Sequence, residues 1–422
     1  MKSAERSLEH GSSEHRARLL EGRIGDVGVE LREALQQLLD ALPRPPRGPG
    51  ELAAELSLDK VLATRVMKML RASEPLAVIH LAPGPAPLRR VVQSARRAGR
   101  VSPEHASRAI AAIDAFDRLI RVEAGDRSAL AAMMSAWLPD SRREFELRRK
   151  QAAFRAMSEL IGASVETSVA TVLLHPAARA GRLDVAWIFG MLGLRRHRPG
   201  SRVRLTSRRI AGPGAPRAPR TLEGKAVHDF RGLRLDAFCS VPPPDLEVHE
   251  SGEVVRYTLA DHGFGPNAVS DLVFAEANLD EMDATVPRES GRRSYFFAEV
   301  TTPAVRLIFD VLVHRDVYPG GDPTLAIYDT VLEGVASVND PGRDLDRLHL
   351  EESIRPLGAG LDRFRATGAP RYAEILRLAC SQLGWEPSAF RGYRCAIDYP
   401  IYGSQVTMIF QPPFGAEEAD RG

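Results

Sequence analysis

The stretch ELAAELSLDKVLATRVMKMLRAS, residues 51–73, decides the fold expected for the first part of this chain. Its apolar residues recur at helical spacing, in two groups: Leu52, Ala53 and Leu56, then Leu62, Val66 and Leu70. Leu58 falls between the groups, where a turn is expected. Small alanines at 53 and 54 would allow close approach of two helices. The pattern therefore predicts a pair of short helices joined by a tight turn.

The polar side of the second predicted helix is suited to nucleic acid. It carries Asp59, Lys60, Thr64, Arg65, Lys68 and Arg71. Arginine and lysine donate to guanine O6 and N7 or to phosphate oxygens, and threonine reaches a base edge or a backbone oxygen. The N-terminal residues of a helix in the major groove lie nearest the bases. We therefore expect Lys60, Thr64 and Arg65 to contact base edges, and Lys68 and Arg71 to contact phosphates.

The residues that follow predict a hairpin beside this helix. LAVIHL (76–81) is rich in β-forming residues, APGPAP (82–87) is typical of a turn, and LRRVV (88–92) would be the returning strand. In this interpretation Arg89 and Arg90 lie against the phosphate backbone.

With that hairpin, the segment from about Asp26 to Val92 resembles the winged helix-turn-helix domain of bacterial transcription regulators, the IclR-like group among them. The positions that match the pattern are Leu52, Ala53, Leu56, Leu58, Arg65, Val66 and Leu70. The resemblance covers about a sixth of the chain, and the usual glycine before the wing is replaced by Ser73-Glu74-Pro75. It implies a bacterial DNA-binding protein that regulates transcription.

Charge is distributed unevenly along the 422 residues. Residues 1–220 hold 38 Lys and Arg against 23 Asp and Glu, or +15, whereas residues 221–422 hold 19 against 32, or −13. A basic half joined to an acidic half suggests a nucleic-acid reader with a separate second function. The acidic half could also mask the DNA-binding face.

The chain is long enough for two or three domains. Residues 1–25 predict a flexible arm, 26–92 the winged helix-turn-helix domain, and 93–194 a helical middle region. Within that region, a helix over 140–162 could pair two subunits, and 165–194 fit either a strand or a helix. Residues 195–220, with nine arginines and the tract AGPGAPRAPR, predict a basic linker.

Residues 221–422 predict an α+β domain with no recognised family. Period-two or continuous apolar runs predict strands over 254–259, 294–300, 305–313, 325–328, 393–399 and 406–410. A helix fits 371–383. The expected fold class is therefore multidomain, with a helical first part and an α+β second part.

Several chemistries find no motif in the sequence. There is no GxxxxGK[ST], HExxH or GxSxG pattern, and His314-Arg315-Asp316 is not followed by the asparagine of a kinase loop, because position 321 is glycine. We predict no catalytic residue, metal or cofactor. Three dispersed cysteines and a polar start without an apolar core favour a reduced, cytoplasmic protein without a membrane segment.

We therefore expect a homodimeric regulator that binds double-stranded DNA and whose second domain senses a small molecule or a protein partner. Two alternatives stay open: an enzyme of unrecognised class, or a non-catalytic assembly protein, either one using a winged helix as a protein-docking module. A pocket in residues 221–422 that brings ionisable side chains within mutual reach would favour the enzyme.

Overall fold

A computed structural model of the chain describes residues 2–97, 101–135, 137, 139–209, 218–260 and 263–415. The chain divides into two compact units, Met1–Glu146 and Leu147–Gly422. We call them the helical unit and the sheet unit. Together they give a multidomain α+β fold, as the sequence predicts. The division falls inside a helix and not in the arginine-rich segment 195–220 that we expected to be the linker.

The helical unit is built from short helices that follow one long helix. These are α1 (Lys2–Asp40), α2 (Pro49–Leu56), α3 (Lys60–Leu70), α4 (Pro75–Leu81), α5 (Pro85–Arg97), α6 (Pro103–Arg118), α7 (Arg127–Ser135) and the first residues of α8 (Pro139–Ile161). A π-helical turn, Leu119–Ala124, extends α6. Proline is the first residue of α2, α4, α5, α6 and α8, where its missing N–H has no intrahelical partner to lose.

Helix α1 supplies one wall of the core of this unit. Leu31, Leu35 and Leu38 are fully buried and recur at helical spacing. Residues 1–25, for which the sequence predicts a flexible arm, carry the first part of α1, which begins at Lys2. Ile24 is fully buried, so its side chain joins the core from within this segment.

The predicted wing is wrong, because α4 and α5 occupy the segment that we expected to form a β-hairpin. Leu88, Val91, Val92 and Ala95 are fully buried and recur every three or four residues, which is the period of a helix and not of a strand. Pro75 begins α4, and Pro85, which we expected in the hairpin turn, begins α5.

The sheet unit contains three sheets. Its strands are β1 (Ala163–Pro176), β2 (Arg182–Arg196), β3 (Arg204–Arg209), β4 (Leu246–Ser251), β5 (Val254–Leu259), β6 (Val269–Asp283), β7 (Ser294–Glu299), β8 (Ala304–His314), β9 (Thr324–Asp329), β10 (Arg355–Ala359), β11 (Phe390–Asp398) and β12 (Ser404–Phe410). Sheet 1 has the order β10-β11-β8-β1-β2-β6, sheet 2 the order β7-β12-β9, and sheet 3 the order β3-β5-β4. Helix α9 spans Tyr372–Leu383.

The centre of sheet 1 is a parallel pair in a sheet whose other neighbours are antiparallel. Strands β1 and β8 run parallel, with Val172 opposite Val311. On one face, Ile308 and Leu312 pack with Leu376 of α9. On the other face, apolar side chains of β1, β2, β8 and β11 pack against sheet 2. The beginning of β1, the end of β2 and the first half of β6 pack against sheet 3. The centre of sheet 1 is therefore covered on both sides, as parallel strands require.

Two predictions for residues 93–220 need correction. The helical middle region ends at Ile161, and β1 and β2 follow it, so residues 163–176 and 182–194 are strand. The basic segment 195–220 is not a linker where it is described, because Arg195 and Arg196 end β2 and Arg204–Arg209 form β3. Arg208 forms a bidentate salt bridge with Glu276, in which each of the two hydrogen bonds is 2.9 Å long. The tract 210–217 lies outside the described residues.

Most of the elements predicted after residue 250 are confirmed. The predicted strand over 254–259 is β5, and those over 294–300, 305–313, 325–328 and 406–410 match β7, β8, β9 and β12 to within two residues at each end. The alternating run 393–399 coincides with β11 up to Asp398, where the strand ends, and the helix expected over 371–383 is α9. The spacing of apolar residues was enough to predict these elements, because each one has a complete apolar pattern within its own residues.

A charged network lies inside sheet 1. Asp310 of β8 is completely buried, and Arg394 of β11 donates to both of its oxygens, at 2.8 Å from Nε and 2.6 Å from Nη2. Tyr372 of α9 donates to the same carboxylate at 2.6 Å, and its oxygen lies 2.8 Å from Thr171 Oγ1. Burial, and then the Asp310 carboxylate, raise the pKa of Tyr372 well above its ordinary value. The network thus joins β1, β8, β11 and α9.

Two histidines meet at the carboxyl ends of the parallel strands. The ring of His175 lies 4.7 Å from that of His314 and stacks on Trp385, also at 4.7 Å between centroids. Burial, and then the neighbouring His175, lower the pKa of His314. His314 is therefore held in its neutral form more strongly than a histidine in an unfolded chain.

We predict that breaking the buried ion pair is costly unless both charges are removed. Asp310→Asn leaves the Arg394 guanidinium buried without a carboxylate and should lower the free energy of unfolding by about 3–5 kcal/mol. Arg394→Met should cost a similar amount. The double variant Asp310→Asn/Arg394→Met should cost clearly less than the sum of the two. Urea unfolding followed by tryptophan fluorescence measures all three, and strict additivity would contradict the pairing.

We also predict a pH dependence that originates at His314. A histidine whose folded pKa is lowered contributes stability that is complete above about pH 6.5, the pKa of an unperturbed histidine, and that is lost as the pH falls below it. His314→Gln cannot take up that proton. Between about pH 7.5 and pH 5.5 this variant should lose less unfolding free energy than the unchanged protein. The exposed His249→Gln on β4 is the control, and equal losses in all three proteins would refute the assignment.

Candidate functional site

The exposed face of α3 brings together most of the residues that the sequence singled out. Lys60, Thr64, Arg65 and Lys68 are all exposed, and they lie on one side of the helix. Val61 lies among them and is 71% exposed. An apolar residue in the middle of a basic helix face can contact a thymine methyl group. Val61 was not among the predicted contact residues, although it precedes Thr64, Arg65 and Lys68 by three, four and seven positions, which places it on their face of the helix.

The opposite face of α3 fixes the helix in the helical unit. Leu62, Val66 and Met69 are buried there. The side chain of Asp59 caps the helix by accepting from the backbone N–H of Leu62 at 2.7 Å. Helix α2 ends at Leu56, and the next residue, Ser57, has φ 50° and ψ 47°. This left-handed residue provides the tight turn between α2 and α3. The predicted helical hairpin is thus confirmed.

Arg71, which we expected on the polar side of this helix, is the residue directly after α3, and its guanidinium has a partner. Its Nη2 donates to the backbone carbonyl of Arg47 at 2.9 Å, and Arg47 lies just before α2. The residue is exposed. It therefore ties the end of α3 to the start of the hairpin and keeps other N–H groups for an outside acceptor.

Arg89 does not lie where the prediction needs it. Its Nη2 donates to Asp114 at 2.7 Å and to Asp117 at 2.9 Å, both on α6. These hydrogen bonds raise the pKa of Arg89 and lower that of Asp117. Two carboxylates neutralise the guanidinium, so the expected phosphate contact of Arg89 gains no support from the structure. Arg89 instead joins α5 to α6.

Arg90, by contrast, is exposed on α5 and lies close to the start of α3. Its Nη2 is 3.7 Å from a carboxylate oxygen of Asp59, the cap of α3. Gln93 and Arg97 are exposed three and seven residues further along the same helix. Helix α5 therefore presents a second polar, basic face next to α3. The sequence predicts a strand over residues 88–92. A helix continued to Arg97 would have placed Gln93 and Arg97 on the same face as Arg90.

The positive charge of the helical unit is concentrated in this segment. From Lys60 to Arg97 the chain has eight Lys and Arg and a single acidic residue, Glu74. The whole unit, Met1–Glu146, has 23 Lys and Arg and 20 Asp and Glu, a net charge of only +3. The surface of α3 and α5, which we call the basic face, is thus distinct from the remainder of the unit.

A half-buried arginine adds to the charge behind α3. Arg127 donates from Nη2 to the carbonyls of Ile79, His80 and Ala82, at 2.7–3.1 Å, where α4 ends. Burial, followed by the charge of Arg65, lowers the pKa of Arg127 to about 10. The group therefore remains protonated at neutral pH. Its neighbour Arg65 lies in a more positive environment than the sequence suggests.

The sheet unit contains a separate cavity of about 280 Å³ where β1, β2, β3 and β7 come together. Its aromatic lining consists of Trp187, Phe189, Phe230 and Phe297. Arg204 and Glu299 also line it, and neither forms a side-chain hydrogen bond or salt bridge to a described residue. Burial raises the pKa of Glu299, and Arg204 opposes this shift. We call this space the aromatic cavity.

The described part of the chain contains neither a metal-ligating cluster nor a membrane-spanning helix. No group of three or more His, Cys, Asp or Glu residues there is arranged to hold a metal ion. Among the same residues, no helix has the length and apolar character needed to cross a membrane.

Comparison with known proteins adds no relative to this picture. The chain matches no protein-family model, no curated protein and no solved structure.

Proposed function

We propose that this chain is a DNA-binding transcription regulator that reads duplex DNA with α3 and senses a small ligand in its sheet unit. The observation that carries the proposal is the basic face. There, a helix of 11 residues is packed on one side and presents Lys60, Val61, Thr64, Arg65 and Lys68 on the other. A helix of this kind fits the major groove of B-DNA.

The roles of the individual side chains follow from their positions. Lys60, Thr64 and Arg65 on the first turns of α3 would contact base edges, with Val61 against a thymine methyl group. Lys68 near the end of α3, Arg71 after it, and Arg90 on α5 would contact phosphates, which fix the register of the protein on the duplex. In this proposal α5 takes the place of the wing.

The proposed regulator acts as a homodimer. Two copies related by a two-fold axis would present two α3 helices to successive major grooves, about 34 Å apart along the duplex. The DNA sequence that binds best would then have two-fold symmetry. This property makes the dimer testable in the same experiment as DNA binding.

The aromatic cavity supports the second part of the proposal. Flat apolar walls take up a flat ligand, and a few polar groups fix its orientation. Arg204 and Glu299 offer opposite charges at one cavity, and neither forms a side-chain hydrogen bond or salt bridge with a described residue. A small zwitterion with an aromatic ring would place the ring against the apolar walls and pair its two charges with Arg204 and Glu299. The alternative of an enzyme has less support, because these two ionisable groups make no hydrogen bond with each other.

The DNA proposal predicts that Lys60→Ala/Arg65→Ala removes sequence-specific binding. Selection from a random duplex pool with the unchanged protein should enrich a two-fold symmetric site. The variant should bind that site at least tenfold more weakly, because each lost base contact is worth about 1–3 kcal/mol. Fluorescence anisotropy over a salt series measures the affinity and its salt dependence.

The matched control is Arg108→Ala/Arg118→Ala, which removes the same charge from exposed positions on α6. It should retain the selected site within about twofold, with a change only in the non-specific term. Equal losses in the two double variants would reduce the basic face to a general electrostatic surface. A pool in which no sequence is enriched would overturn the proposal.

The cavity proposal predicts that L-tryptophan, used as the probe, binds through both charges. Glu299→Gln and Arg204→Gln should each weaken binding about tenfold, since each removes one charge-assisted contact. Tryptamine and indole-3-acetate, which each lack one charged group, should bind more weakly than tryptophan. Isothermal titration measures all of them, with the exposed Arg202→Gln as control. Unchanged affinity in the Glu299 and Arg204 variants would contradict this use of the cavity.

A further inference from the structure

A second cavity in the sheet unit is lined mainly by arginine. It has a volume of about 270 Å³ and lies beside β8, β11 and the edge strand β10. Its charged and polar lining consists of Arg306, Arg355, Arg365, Thr367, Arg394 and Asp398. Four arginines therefore line a space the size of a small molecule, in a part of the chain whose net charge is negative. We call it the arginine cavity.

Two of the four arginines have structural partners. Arg394 is paired with the buried Asp310 and also donates from Nη1 to the carbonyl of Arg365 at 2.6 Å. Arg306 donates from Nε to Asp398 at 2.9 Å and from Nη1 to the carbonyl of Thr367 at 3.3 Å. Both therefore hold the backbone of residues 365–367, and each is neutralised by a carboxylate.

The other two arginines have no such partner. Arg355 and Arg365 are exposed, and neither makes a side-chain hydrogen bond or ion pair with a described residue. Arg365 also lines an adjoining cavity, together with Thr367 and Arg377, and Arg377 is likewise exposed and unpaired. Up to three positive charges thus remain uncompensated around one anchored loop.

The chemistry of these groups indicates an anion. Guanidinium is planar and offers paired N–H donors whose spacing matches the oxygens of a phosphate or carboxylate. A solvated surface arginine that binds nothing gains no advantage from an anchored backbone. Here the backbone of Arg365 is fixed by a buried ion pair, which lowers the entropy lost when its side chain binds. A hydroxyl donor, Thr367, lies in the same lining.

We propose that the arginine cavity binds a small phosphate-bearing molecule, with Arg355 and Arg365 as its direct ligands and Thr367 as a further donor. Arg394 and Arg306 are positioning residues that hold the loop. The volume of the cavity suits a small anion and not a nucleic-acid duplex, which needs an extended convex or grooved surface. This proposal is independent of the DNA-binding function of the helical unit.

The test uses the full-length protein and three probes: inorganic phosphate, glucose 6-phosphate and duplex DNA. Isothermal titration at low ionic strength should give saturable binding of one phosphate group per chain. Arg355→Gln/Arg365→Gln should weaken binding at least tenfold, because each removes a charge-assisted contact. The control Arg292→Gln/Arg315→Gln, which removes two exposed arginines elsewhere in the sheet unit, should bind within about twofold of the unchanged protein.

The probes distinguish the sources of the phosphate group. Tighter binding of glucose 6-phosphate than of inorganic phosphate identifies an ester, and the reverse order identifies the free ion. The proposal is overturned by equal weakening in the cavity and control variants, or by absence of saturable binding up to a phosphate concentration of about 10 mM. Loss of DNA binding in Arg355→Gln/Arg365→Gln would also overturn it, by assigning these arginines to a nucleic-acid surface.

Discussion

The constraint on which the sheet unit depends is the burial of β8. Seven consecutive residues, Leu307–Val313, are buried, so both faces of this strand must be covered. Helix α9 covers one face and sheet 2 the other. Among these seven residues Asp310 carries a charge, and a charge at such a position requires a partner. Arg394 on the neighbouring strand and Tyr372 on α9 supply it, and in doing so they fix the order of the elements around β8.

The same ion pair extends its influence to the surface. Since Arg394 also donates to the carbonyl of Arg365, the loop before α9 is tied to the core. The arginines of that loop are therefore presented in a defined arrangement. In the helical unit an apolar constraint has the corresponding role: Leu62, Val66 and Met69 bury one side of α3, which leaves the basic side outward. In both units, buried side chains fix the backbone that carries the exposed charges.

Sequence patterns predicted the elements that carry a complete local signal. The hairpin of α2 and α3 and strands such as β5 were found because their apolar residues repeat with the period of the element. The wing was wrong because Leu76–Leu81 is rich in β-branched and aliphatic residues but is too short for its period to be decisive. The role of Arg89 could not be predicted, because its partners Asp114 and Asp117 are 25 and 28 residues away.

The charge division is a further case in which tertiary structure decided the outcome. Arginines between 147 and 220 gave the first half of the sequence its large positive charge, but they belong to the sheet unit, where Arg196 and Arg208 serve internal contacts. Divided at Glu146, the two units carry +3 and −1, so the charge asymmetry that suggested masking of the DNA-binding face no longer exists. The cavities were beyond prediction, because residues far apart in sequence line them.

The central claim is that the exposed side of α3 contacts DNA, and photo-cross-linking from single positions tests it most directly. A photoreactive amino acid at position 61 would be compared with the same group at position 108 on α6, each in the full-length protein with its selected duplex. We predict strong cross-links to DNA from position 61 that unlabelled duplex of the same sequence competes away, and few from position 108. Binding of DNA without cross-links from position 61, or equal cross-linking from both positions, would contradict the account.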